Sequence, residues 1–176
     1  VAAFGSKTLV RDLNAVAAAN YLATDYGLDV ISAGQVIATA IEWYETGVLT
    51  DADTGGLKLT WGNGDAVVEL VGLIARREGI GDLLAEGVKR AAEKLGPRAE
   101  AAAMHVKGLE MAADGVHASH SMSIVHATSA RGADHLRPYS SAIDALGYRN
   151  EELGIADPID PLEDGNKAWV KPLQEL

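Results

Sequence analysis

The chain has 176 residues, 25 of them acidic and 15 basic, for a formal net charge of -10. Such a field repels phosphate backbones and anionic membrane surfaces, so neither nucleic-acid nor membrane binding is expected. The absence of cysteine excludes disulfides, a cysteine nucleophile and an iron-sulfur cluster held by thiolates of these residues.

The hydrophobic content of 48% is enough for one or two compact domains with real cores. No apolar run approaches the roughly 20 residues needed to cross a bilayer. The N-terminus also lacks the charged-then-apolar pattern of a signal peptide, and a cytoplasmic location is the default expectation. The chain begins at Val1 and stops within an apparently helical stretch, Asn166 to Leu176, so both ends read as cuts. Such a cut is expected to leave Trp169, Val170, Leu173 and Leu176 uncovered.

In chain order, a first amphipathic helix is predicted with Leu13, Val16, Ala17 and Tyr21 on one face, Asp12 capping its start and Gly27 ending it. A second is predicted with Ser32 as N-cap, Gln35 completing a capping box, and Val36, Ile37, Ala40, Ile41 and Tyr44 on its apolar face. Gly47 closes it. The stretch Val48 to Asn63 reads as a connector, with Leu57 to Trp61 as a brief extended piece.

Asn63 then caps a third predicted helix that buries Val67, Leu70, Val71, Ile74 and Ala75 and ends at Gly79. A fourth is predicted over 81–95, burying Leu84, Val88, Ala91, Ala92 and Leu95, with Glu86 paired to Arg90. Gly96 and Pro97 stop it. After Ala103 the texture turns glycine- and histidine-rich, with a helix expected over 121–131 and a Pro/Asp-rich loop near 157–164. The expected class is mostly α, a helical bundle-like fragment with short irregular connectors, divided into 1–104 and 105–176.

Three segments could carry chemistry. His117, His120 and His126 lie within ten residues, yet they match no metal-site spacing, and chance clustering on a polar loop is the favoured reading. The run Arg131-Gly132-Ala133-Asp134-His135-Leu136-Arg137 suits an anionic ligand, with an imidazole beside Asp134 able to move a proton near neutral pH. It equally describes a solvated turn whose charges pair with one another. In Tyr26-Gly27-Leu28-Asp29 a helix-ending glycine precedes a carboxylate that can accept N–H groups of a heterocycle or of the nearby backbone.

Several blocks, in order, resemble the aldehyde:ferredoxin oxidoreductase family. They are Ala19-Asn20-Tyr21-Leu22, the run from Gly27 to Gly34, Trp43-Tyr44-Glu45-Thr46-Gly47, and the run from Gly56 to Asn63. They continue through Arg77 to Ala91, Val106-Lys107-Gly108-Leu109-Glu110, and Ala127 to Arg137. The resemblance spans nearly the whole chain and implies an internal fragment covering the family's second domain and the start of its third.

Family members bind tungsten or molybdenum through two pterins, hold a four-iron cluster by four cysteines, oxidise aldehydes to carboxylic acids and pass electrons to ferredoxin. The family's pterin motif DxxGL, followed by Asp or Cys, resembles Thr24-Asp25-Tyr26-Gly27-Leu28-Asp29, with Thr24 in place of the leading Asp. The resemblance therefore implies cofactor contacts at Gly27, Leu28, Asp29 and Arg131, and a proton-transfer or substrate-orienting role for His135. Asp53-Thr54-Gly55-Gly56-Leu57 also fits DxxGL, but by family order it falls in the connector.

No residue of this segment is expected to ligate a metal, and the cysteines would lie outside it, three upstream and one downstream. The fragment alone is therefore expected to be inactive. A homo-oligomer stays open, as do a metallopterin relative acting on aromatic thioesters, a non-catalytic helical interaction module and a small histidine metal site.

Overall fold

The computed structural model describes residues 1–176 except 114, 145, 148, 154, 166, 168, 169 and 171–176. It forms two compact units, Val1–Ala113 and Asp114–Leu176. The architecture is mostly α, as the sequence leads one to expect.

The first unit opens with a π-helical turn, Ala2–Ser6, that buries Phe4. There follow α1 (Leu13–Asp25), α2 (Val30–Glu45), α3 (Gly64–Arg76), α4 (Ile80–Leu84), α5 (Gly87–Leu95) and α6 (Pro97–Glu100). A two-residue hairpin, β1 (His105–Val106) with β2 (Leu109–Glu110), pairs antiparallel with Val106 opposite Leu109. Helix α1 packs on α3, α3 on α4, and α2 on α5, on β2 and on the first turn.

The three long helices start alike, each with an Asx side chain accepting a backbone amide that has no intrahelical partner. Asp12 takes Asn14 N at 2.9 Å, Asp29 takes Ser32 N at 2.7 Å and Asn63 takes Ala66 N at 3.2 Å. The expected capping box at Ser32 is thus displaced: α2 begins at Val30, and Ser32 is its third residue. Asp29 wins because its carboxylate can reach that third amide from one turn upstream.

The core joins Phe4, Trp43, Ile37, Ile41, Leu49, Leu59, Leu70 and Leu84, all essentially inaccessible. Each such large apolar side chain contributes about 1.5–3 kcal/mol relative to an exposed one. On α1 the buried residues are Val16, Ala19 and Ala23, while Leu13, Ala17 and Tyr21 of the expected face are exposed. The approach of α1 to α3 is close at Ala15, whose Cβ would lie 2.7 Å from a Cβ added to Gly64. Leu57 to Trp61 forms no β-ladder and is anchored by buried Leu59.

Helix α3 ends at Arg76, three residues before the expected Gly79. Arg77 takes the left-handed conformation at φ 53°, and Glu78 N donates to Leu73 O at 3.0 Å. Arg77 Nη1 also reaches Asp82 Oδ1 and Glu86 Oε1, each at 2.9 Å. The single helix expected over 81–95 is broken in two, because Gly87 has φ +83°, outside the helical region. Glu86 therefore pairs with Arg77 and Lys94 instead of the expected Arg90.

In the second unit, α7 (His120–Thr128) is capped by Ser119 and ends three residues before the expected Arg131. A short α8 (Ser141–Asp144) and a 3-10 turn (Glu151–Leu153) follow. Met122 and Val125 form a cluster with Val170, so Val170 is buried rather than uncovered. The rest of the expected terminal helix, including Trp169, Leu173 and Leu176, lies outside the described residues. Among the described residues no helix is long and apolar enough to cross a membrane.

Candidate functional site

The segment ahead of α2 is shaped by the end of α1. Leu28 N donates to Ala23 O at 2.8 Å and Gly27 N to Thr24 O at 3.1 Å, a pairing that needs a left-handed residue, here Gly27 at φ +72°. Gly27 itself is exposed, and an added Cβ would meet nothing within 4 Å, so its contribution is the backbone reversal. That reversal tucks Leu28 against the core and delivers Asp29 to the head of α2.

Leu28 and Asp29 line a cavity of about 300 Å³ together with Ser32, Val36, Glu86 and Glu110. Ile74, Leu84 and Gly87 also border it. This is the lower end of the size range typical of small-molecule sites, roughly 300–1,000 Å³. Apolar walls with a few carboxylates suit a ligand that has ring faces and N–H edges.

Asp29 is exposed and spends one oxygen on Ser32 N. Its other oxygen has no hydrogen-bond partner among the described residues. Glu86 differs, since hydrogen bonding from Arg77, aided by Lys94, holds its carboxyl below the ordinary glutamate value. Thr24, at the departure from the family motif, donates its hydroxyl to Asn20 O at 2.8 Å and so serves its own helix. Asp53, in the second DxxGL string, accepts Thr50 N and Oγ1 within its own turn.

In the second unit the run from Arg131 to Arg137 forms a turn after α7. Asp134 is buried and accepts Leu136 N at 2.9 Å and Arg131 Nη1 at 3.3 Å. Its carboxylate is therefore engaged by the turn rather than by the neighbouring imidazole. Arg131 has 68% of its side chain exposed. His135 is half-buried and meets Tyr139 edge to face, ring centroids 6.3 Å apart, and no hydrogen bond reaches its ring among the described residues.

Of the three clustered histidines, His120 pairs with Asp164 at 2.7 Å, His126 is buried and His117 is exposed. Among the described residues no group of three His, Cys, Asp or Glu side chains could hold a metal ion.

The family model described as aldehyde ferredoxin oxidoreductase, domains 2 and 3, matches residues 1–176. The chain belongs to this family. The tungsten-containing aldehyde ferredoxin oxidoreductase of Pyrococcus furiosus is 36% identical over 169 residues, 96% of this chain and 27% of that protein. The aliphatic sulfonate oxidoreductase, WOR-like subunit, of the same organism is 38% identical over 138 residues, 75% of this chain and 22% of that protein.

Among solved structures, the active site complex BamBC of benzoyl coenzyme A reductase with 1,5-dienoyl-CoA matches with a TM-score of 0.58 and 28% identity. That match covers 87% of this chain and 23% of the other. The chain thus spans about a quarter of the length of the curated relatives it matches.

Sequence reasoning reached Leu28 and Asp29 but missed Glu86 and Glu110 as cavity residues. Both stand in blocks that carry the family resemblance, Arg77 to Ala91 and Val106 to Glu110. What hid them was distance along the chain, because only the hairpin's return to α5 brings Glu110 to the cavity.

Proposed function

We propose that this chain supplies part of the pterin pocket of a tungsten oxidoreductase that converts aldehydes to carboxylic acids and passes the electrons to ferredoxin. The observation that carries the reading is Asp29, lining a small cavity with a spare carboxylate oxygen, in a chain that matches the family along its whole length. Molybdenum in place of tungsten is compatible with the same residues. A four-iron cluster would depend on cysteines that this segment lacks.

The residues fit a pterin in chemistry: an acceptor oxygen faces amino and ring N–H groups, and apolar side chains flank the ring. Gly27 sets the turn, Leu28 packs the wall and Asp29 accepts the N–H. Bound metal and dithiolenes would supply the two-electron redox change. In the second unit, Arg131 binds an anionic edge of the cofactor with the part of its guanidinium not taken by Asp134. His135 orients the carbonyl of the substrate and moves a proton at a ring nitrogen. The segment 1–104 corresponds to the family's second domain, and 105–176 to the start of its third.

The test uses the parent polypeptide. It should contain tungsten and reduce a viologen dye when given an aldehyde, and His135→Ala should lower turnover more than metal content. Equal loss of both would make His135 structural. A second reading, a relative acting on aromatic thioesters, is favoured by the likeness to the BamBC structure. Turnover with an aromatic coenzyme A thioester and none with aldehydes would select it.

A further inference from the structure

We infer that Glu110 is a second recognition carboxylate of the Asp29 cavity, accepting an N–H group from a heterocycle bound there. This rests on the pterin reading and extends it to a residue on a different element. Glu110 is only 7% exposed and comes from β2. Its Oε1 accepts Val88 N at 2.9 Å, which completes the start of α5. Gly87 makes room for this, since a Cβ there would lie 2.6 Å from Oε1.

The second oxygen of Glu110 has no hydrogen-bond partner among the described residues. That oxygen is not among the buried polar atoms that lack a partner, so it is open to the cavity and can accept a ligand donor there. Glu86, the third carboxylate of the cavity, is engaged by Arg77 and Lys94. Asp29 and Glu110 thus keep acceptor capacity on two different elements.

A cation does not match this arrangement, because no group of three acidic or histidine side chains among the described residues could hold one. Two acceptors in a cavity also lined by Leu28, Val36, Ile74 and Leu84 match a ring system bearing more than one N–H donor. The 2-amino group and N3–H of a pterin are such donors, whereas a 2,4-dioxo ring replaces the amino group with a carbonyl that would be set against a carboxylate.

The parent polypeptide, freed of its own cofactor, is titrated with free pterin, followed by its fluorescence, and in parallel with lumazine, its 2,4-dioxo analogue. The native chain should bind pterin saturably and more tightly than lumazine. Glu110→Gln should weaken pterin binding by about tenfold or more, the scale of one hydrogen bond to a charged group. Glutamine can still offer its carbonyl oxygen to Val88 N while its amide donor replaces the acceptor facing the ligand. Thermal unfolding of this variant should stay near that of the native chain.

The amide resonance of Val88 reports on the native protein without any substitution, and saturation with pterin should shift it. If Glu110→Gln binds pterin as tightly as the native chain while Asp29→Asn loses affinity, the role of Glu110 is overturned and the pterin cavity stands. An unmoved Val88 resonance at saturation overturns it equally. Absence of any saturable pterin binding by the parent polypeptide freed of its cofactor overturns both readings.

Discussion

The indole nitrogen of Trp43 donates to the carbonyl oxygen of Ala99 at 3.1 Å, joining α2 to α6 across 56 residues of chain. Both residues are fully buried. Ala99 O also accepts Ala102 N at 3.1 Å, so Trp43→Phe removes one of its two bonds and opens a void where the indole nitrogen stood. The substitution should cost about 0.5–1.5 kcal/mol for the lost hydrogen bond, with the void adding to it, measured by urea unfolding.

Gly81 sets the approach of α4 to α3. An added Cβ would fall 2.2 Å from both the carbonyl carbon and oxygen of Leu73, which are backbone atoms and cannot turn aside. Gly81→Ala should therefore destabilise the first unit by about 1–3 kcal/mol or more. Gly115→Ala, whose methyl would meet Ala118 Cβ at an ordinary 3.6 Å, should stay within about 0.5 kcal/mol of the native chain.

Asp144 and Lys167 form an ion pair at 3.4 Å, with side chains 0% and 2% exposed. The hydroxyls of Ser119 and Ser121 also donate to Asp144, and Lys167 Nζ reaches Asp160 O at 2.6 Å. Asp144→Ala strands a buried ammonium and should cost about 3–5 kcal/mol. The double substitution Asp144→Leu with Lys167→Met should recover most of that loss, because no charge is left unpaired. Failure to recover would show that the two serine bonds, rather than the charge pair, hold the second unit.

Acid should weaken the Arg77 network in a defined window. The Glu86 carboxyl lies below its ordinary value of 4.5, first through its hydrogen bond from Arg77 and then through the charge of Lys94. A depressed folded value means that the stabilisation is complete above the unfolded value and disappears as pH falls through the folded one. Arg77→Gln should lower the unfolding midpoint most above about pH 5 and make little difference once Glu86 is protonated in both states. A gap that persists unchanged into strong acid would assign the effect to Asp82 or to the left-handed backbone instead.

The helices were legible because their apolar spacing and caps are local properties. Asp12 and Asn63 are caps readable within three residues, and Val67, Leu70, Val71 and Ile74 share a face by spacing alone. The break at Gly87 was not legible, since 81–95 keeps helical periodicity and the left-handed glycine is stabilised by a carboxylate 23 residues further on. The α1 face was misread for a related reason. Leu13 and Tyr21 are larger than Ala19 and Ala23, yet the tertiary packing of α1 buries the alanines and leaves the larger side chains exposed.

For the site, the corner at Gly27 and Asp29 followed from the motif and from the chemistry of helix ends. Their neighbours Glu86 and Glu110 depended on tertiary pairing that no local pattern encodes. The charges of Arg131 and Asp134 pair within their turn, an outcome that i,i+3 proximity made one of two open readings.

The cap at α5 also bears on the order in which this chain matures. A nine-residue helix is too short to persist in isolation, and the carboxylate that completes its first turn is synthesised 22 residues after Val88. While the polypeptide is still emerging, the Val88 amide lacks this partner until the hairpin has arrived. The Asp29 hollow is therefore walled in late, after both ends of that return have been made.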